Sequence, residues 1–227
     1  MDCNRAAFLT GSVALVGGAL ARPADAATAP PTSATPEMLL GQLMAGNKRF
    51  VDGDFPAASR EVTKRALVVE GQAPFASVLS CADSRVIPEL VFVQGIGQLF
   101  VTRVAGNYPD DLVTGSIEYA VEHLGTTIVL VLGHERCGAV KAVYGALKEK
   151  KDLPEHLSAI QRLIAPGIAG VVAARGSLDA AIEANVRAAM AALHNSPPVI
   201  AKEASAGRIR VAGGVYHLKS GAVKLLQ

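Results

Sequence analysis

The chain is predicted to be an α/β protein, with a mostly parallel central β-sheet flanked by helices and an N-terminal helical arm. Three observations lead there. Short runs that are apolar almost throughout, Phe75-Ala-Ser-Val-Leu-Ser80 and Ile128-Val-Leu-Val-Leu-Gly133, read as strands covered on both faces, as parallel strands are. Longer segments carry apolar residues at helical spacing, some with a glycine stop. The two kinds of segment alternate along the chain instead of segregating, which is the pattern of one α/β domain. The 227 residues are 50% apolar but contain no Trp and only 4% aromatic residues, so the core must be mainly Val, Leu, Ile and Ala. A net charge of +2 without a basic stripe leaves no electrostatic footprint for nucleic acid.

Taken in order, the chain opens with Arg5, an apolar and small-residue stretch over 6–21, and Ala24-Asp25-Ala26, a small-x-small motif of the kind signal peptidase cuts. Residues 1–26 are expected to be a signal peptide, with the mature chain exported to the periplasm by a Sec or degenerate twin-arginine route. The stretch is Gly- and Ala-rich and falls short of the roughly 20 strongly apolar residues of a spanning helix, so no stable membrane insertion is expected. Cleavage removes Asp2, Asp25, Arg5 and Arg22, two charges of each sign, and leaves the net charge at +2. Cys3 leaves with the signal. Residues 27–35, rich in Pro, Thr and Ala, are expected to be a flexible linker, and 36–227 the folded domain with its helical arm at 36–70.

Thr35 is placed to cap a helix that has Pro36 at its first position and Glu37 in its first turn. Met38, Leu39, Leu43, Met44 and Phe50 then recur at helical spacing. A second short helix is expected over 59–70, ended by Gly71. The first strand, 75–80, follows, then a short helix over 86–92 and a strand over 99–104. A helix over 111–124 stops at Gly125, and the third strand occupies 126–132. Helices are expected over 139–150, 154–164 and 177–193, strands over 208–212 and 215–218, and a turn at Ser220-Gly221 into the last segment, 222–226. There is no internal repeat.

Two strand ends carry the chemistry: Ser80-Cys81-Ala82-Asp83-Ser84-Arg85 and Gly133-His134-Glu135-Arg136-Cys137-Gly138. Zinc takes thiolate sulfur and imidazole nitrogen, and a catalytic zinc keeps three protein ligands with a fourth position open to water. Cys81, His134 and Cys137 are such a set, at the carboxyl ends of two buried strands, where open α/β sheets carry their sites. The competing reading of the two cysteines is a disulfide, which accounts for neither His134 nor Asp83 and Arg85.

Cys-x-Asp-Ser-Arg followed by His-x-x-Cys-Gly resembles the β-class carbonic anhydrases. The likeness continues through Leu99-Phe-Val-Thr-Arg-Val-Ala-Gly-Asn107, Ser116-Ile-Glu-Tyr-Ala-Val121 and Gly213-Gly-Val-Tyr-His-Leu-Lys-Ser-Gly221, and covers roughly 36–227. The resemblance implies one zinc ion per chain on Cys81, His134 and Cys137, and reversible hydration of carbon dioxide to bicarbonate by a zinc-bound hydroxide. It implies self-association as a dimer or tetramer, with the arm packed on a partner subunit and the pocket completed across the dimer interface. It gives Asp83 two states, paired with Arg85 in an open form or ligating zinc in a closed one. The pair would keep an Asp83 oxygen free to accept a hydrogen bond. The resemblance to the plant-type branch further implies substrate-binding roles for Gln72, Phe100, Tyr119 and the backbone N–H of Gly138, and favours the open form. Each has a plainer reading: a polar loop residue for Gln72, core for Phe100 and Tyr119, a permissive turn for Gly138. Ser80 stands where that family often has Ala or Gly.

Two thiolates and a neutral imidazole leave a zinc complex near neutral, so its water should ionise above the ~7 of a histidine-only site and activity should rise on the alkaline side. Two alternatives remain open: an enzyme of the same fold acting on carbonyl sulfide or carbon disulfide, and a non-catalytic zinc protein closed by Asp83. Glu135 and Arg136 should point away from the metal. His123, His156, His194 and His217 are candidate proton shuttles or ordinary surface and core histidines.

Overall fold

The computed structural model describes residues 34–55, 62–196 and 198–226; the expected signal peptide and most of the linker lie outside them. In chain order the elements are α1 (Pro36–Asp52), a 3-10 helix (Val62–Val68), β1 (Ala76–Ser80), α2 (Pro88–Val91), β2 (Leu99–Arg103), α3 (Asp111–Leu124), β3 (Ile128–His134), α4 (Gly138–Glu149), α5 (Leu157–Ala173), α6 (Leu178–His194), α7 (Val199–Ser205), β4 (Arg210–Tyr216) and β5 (Val223–Leu226). The sheet order is β2-β1-β3-β4-β5. All neighbours are parallel except the last pair, where β5 returns antiparallel to β4. Among the described residues no helix is long and apolar enough to cross a membrane.

The central strand explains the layering. Every residue of β3 is buried, which requires cover on both faces. Val129 and Val131 pack with Val140, Ile164, Ile182 and Val186 from the helices on one face. Ile128, Leu130 and Leu132 pack with Leu39, Leu40, Leu43 and Phe92 on the other. The chain runs outward from β1 to β2 on one side and returns to β3 on the other. Sheet direction therefore switches between β1 and β3, and a crevice opens at their carboxyl ends.

The expected cap of α1 is present. The Thr35 hydroxyl accepts from the Met38 N–H at 3.3 Å, and Gly53 closes the helix in the left-handed region at φ 72°. The helix lies on its own sheet, burying Leu39, Leu40 and Leu43, while Met38 of the expected stripe is 62% exposed. Two positions fix how closely it lies. Buried Asn47 donates to the carbonyls of Val91 (3.1 Å) and Gly221 (2.8 Å) and accepts from the Val223 N–H (2.8 Å). At Gly46 a Cβ would stand 1.8 Å from the Phe92 carbonyl oxygen.

Several expectations need correcting. The second helix of the arm is a 3-10 helix over Val62–Val68, and 56–61 lie outside the described residues. The helix expected to stop at 164 continues to Ala173 through Pro166, because its buried Ile164 and Ile168 hold both halves on one core. The short helix α7 went unread. The two strands expected over 208–212 and 215–218 are one, β4, and Gly213-Gly214 lies inside it: a Cβ at Gly213 would meet Met190 Sδ at 2.2 Å and Val186 Cγ1 at 2.8 Å. The glycines that looked like a break are close approaches: α6 lies against Gly213, and Val223 and Lys224 of β5 lie against Gly214.

The contact at Gly46 sets two effects against each other. Alanine is the better helix former by about 1 kcal/mol, but the clash is with backbone and cannot be relieved by a rotamer change. Gly46→Ala is expected to destabilise the chain by about 1–3 kcal/mol, read as a lower urea midpoint at unchanged slope.

Candidate metal centre

The parallel register brings the ligands together. Ser80, the last residue of β1, pairs with Leu132 of β3, so Cys81 emerges beside Gly133, one residue before His134. Cys137 then turns back toward both. Between the two later ligands Arg136 adopts φ 54°, a left-handed conformation that costs a non-glycine residue about 1–3 kcal/mol and is held only where the surroundings impose it. Cys137 stands at the N-terminus of α4, where the helix end favours a thiolate.

Cys81, His134 and Cys137 are all buried, and their ligand atoms lie within 4.8 Å of one another. Both cysteines are free, with sulfurs 3.9 Å apart against about 2.05 Å in a disulfide; two sulfurs on one tetrahedral zinc, each at about 2.3 Å, would be about 3.8 Å apart. His134 completes the fit. Its Nδ1 lies 2.8 Å from the Glu135 carbonyl oxygen, which can only accept, so Nδ1 carries the proton and Nε2 keeps a lone pair. That Nε2 is buried and has no hydrogen-bond partner. An orphaned imidazole nitrogen beside two thiols suits a soft divalent cation such as zinc.

The thiols share their protons unequally. The hydrogen bond from Cys137 pulls the Cys81 thiol down, against burial, with help from His134 and the Gly106 N–H. Donating to Cys81 pushes the Cys137 thiol up, and burial adds to the rise. Two adjacent thiolates repel, so full ionisation of the pair awaits a cation.

Asp83 stands beside this cluster, its Oδ2 3.9 Å from His134 Nε2. Arg85 holds it at two points, Nε to Oδ1 at 2.9 Å and a terminal nitrogen to Oδ2 at 2.7 Å, and its backbone N–H adds a bond of 3.0 Å to Oδ1. These bonds, the side-chain ones first, keep the Asp83 carboxyl well below the usual carboxylate range.

Sequence reading missed two supports. Arg103, at the end of β2, donates to the carbonyls of Cys81 (3.1 Å) and Asp83 (2.6 Å) and so fastens both ends of the ligand loop. Asn185, buried on α6, donates to the Gly106 carbonyl at 2.8 Å, and the Gly106 N–H donates to Cys81 Sγ at 3.4 Å. Arg103 lay within a quoted segment, but nothing in its residue type marks it; Asn185 was one polar residue in an Ala-rich helix.

The other expected residues are divided. Gly138 directly follows Cys137 as the first residue of α4. Phe100 and Tyr119 meet, with ring centroids 6.3 Å apart. However, Phe100 pairs with Ser77, four residues before Cys81 and therefore about 13 Å down the strand. Gln72 is exposed ahead of β1. Within one chain these three residues lie toward the opposite end of the sheet from the ligands.

Fold and cluster together define a class, an open α/β protein with a two-cysteine, one-histidine metal site at its switch point. The family model described as carbonic anhydrase matches residues 76–223. A carbonic anhydrase of Mycolicibacterium smegmatis is 39% identical over 184 residues, covering 81% of this chain and 89% of its own length. One from Pseudomonas aeruginosa is 34% identical over 195 residues, 81% and 86% of the two chains. The Coccomyxa β-carbonic anhydrase, solved with acetazolamide, superposes with a TM-score of 0.65 at 30% identity, over 82% of this chain and 86% of that one. The chain therefore belongs to the β-carbonic anhydrase family.

Arg103 tests the support of the ligand loop. Arg103→Met keeps an unbranched side chain as far as the position of Nε and loses both bonds, and zinc affinity in a chelator competition is expected to fall about 10- to 100-fold, with far-UV circular dichroism unchanged.

Proposed function

We propose that this chain catalyses the reversible hydration of carbon dioxide to bicarbonate, with one zinc ion on Cys81, His134 and Cys137. The observation that carries the reading is the Asp83–Arg85 pair. Among the described residues Asp83 is the carboxylate in position to close the ligand set, and two side-chain bonds from Arg85 hold it back, which leaves the fourth position to solvent. That is the arrangement of a catalytic rather than a structural site. The names of the Mycolicibacterium and Pseudomonas relatives point the same way.

Zinc bound there supplies the Lewis acidity that ionises water to a nucleophile near neutral or alkaline pH. The chain supplies orientation. Asp83, ionised across the physiological range, accepts the O–H of the attacking oxygen and turns its lone pair toward carbon. The Gly138 N–H, at the free end of α4, is placed to bind a substrate or product oxygen.

Gln72, Phe100 and Tyr119 fit this reading across two chains. They lie away from the ligands of their own chain, Tyr119 is 48% exposed, and Leu112 on the same helix is 83% exposed. We propose a dimer in which each chain offers these residues to the other's ligands.

Hydration by the zinc-loaded chain is expected to rise from about pH 6.5 to 9. Cys137→Ala should lose both zinc and activity. Because Asp83 stays ionised throughout, Asp83→Asn should lower the rate about 10- to 100-fold across that range without removing zinc. Zinc-loaded protein at background activity at every pH would end the proposal. Mixing Cys137→Ala chains with Gln72→Ala chains tests the shared pocket: if it spans the interface, re-paired dimers regain activity that neither variant has alone.

A further inference from the structure

We infer that Glu135 and His217 form a positioning pair for the metal ligand His134. Glu135 lies between two ligands, yet its side chain turns away from them. Its backbone carbonyl takes the His134 Nδ1 proton at 2.8 Å and thereby decides which ring nitrogen is left bare. A carbonyl can orient a ring only if its own residue is held. The following residue, Arg136, sits in the left-handed region, so the peptide that carries this carbonyl needs restraint from outside the turn.

The restraint comes from the end of β4. The Glu135 N–H donates to the Tyr216 carbonyl at 3.0 Å. Its carboxylate accepts His217 Nδ1–H on Oε1 at 2.8 Å and the Leu218 N–H on Oε2 at 3.0 Å. Three consecutive residues, 82 positions further along at the central one, thus grip the one residue that holds the ligand's tautomer. The two side chains are 38% and 34% exposed, and an exposed pair of this kind adds little to stability. Its contribution is geometric: with His217 in place, Glu135 cannot rotate its carbonyl away from His134, and Nε2 stays aimed at the two sulfurs.

The inference rests on the metal-site reading above, and its test separates the two. Zinc affinity by chelator competition, the visible absorption of the cobalt-substituted protein, and urea unfolding of the metal-free chain are measured for wild type, His217→Ala and His217→Asn. His217→Ala is expected to weaken zinc about 10- to 100-fold and to shift the cobalt bands, with the metal-free midpoint nearly unmoved. His217→Asn, whose side-chain amide can donate from the position of Nδ1, should recover both. Wild-type affinity and bands in His217→Ala would overturn the inference alone, as would a loss fully matched in the metal-free midpoint. A wild type that binds neither zinc nor cobalt would overturn the metal site itself.

Discussion

The pairing of β1 with β3 is the constraint on which the rest depends. These strands are not consecutive in the chain, and they adjoin only because β2 is laid outside β1 first. Their parallel register places Cys81 level with the end of the later strand, so two ligands from segments more than fifty residues apart arrive within reach without a dedicated loop. A slip of one residue would turn Val129 and Val131 to the opposite face and displace the ligands together. Core and metal centre are thus set by one alignment.

Electrostatics then decides what the cluster is for. Two buried thiols and a bare imidazole nitrogen make a poor arrangement for a chain on its own: one sulfur gains a proton's share at the other's expense, and the nitrogen lacks a donor. The α4 N-terminus and the Gly106 N–H supply partial positive charge to them, and the full charge of Arg85 is matched by the Asp83 carboxylate it pins. The partial charges favour anionic sulfur, and a divalent cation held by both sulfurs and the bare nitrogen would complete that balance.

Much of this was legible in the sequence because the signals were local. Cys81, His134 and Cys137 sit at the ends of apolar runs, and Asp83 and Arg85 are two apart in one turn. The helix over 111–124 was ended by its own glycine. What was not legible depended on contacts made at a distance. The gap expected between strands at 212 and 215 closes once α6 is laid against Gly213, the helix expected to end at 164 runs on through Pro166 because the core holds both halves, and Asn47, Arg103 and Asn185 are ordinary polar residues until their carbonyl partners are known. The placement of Gln72, Phe100 and Tyr119 away from the ligands could not come from residue types at all.

The separation of the two sulfurs makes the cluster sensitive to oxidation. At 3.9 Å they are close enough that a modest shift would join them, and a disulfide would draw them to about 2.05 Å and consume both as ligands. An oxidant that reached the pair would therefore leave His134 facing a closed sulfur bridge. A cation bound by both sulfurs would keep them from that bridge, so a chain that takes zinc is protected only when the metal arrives ahead of the oxidant.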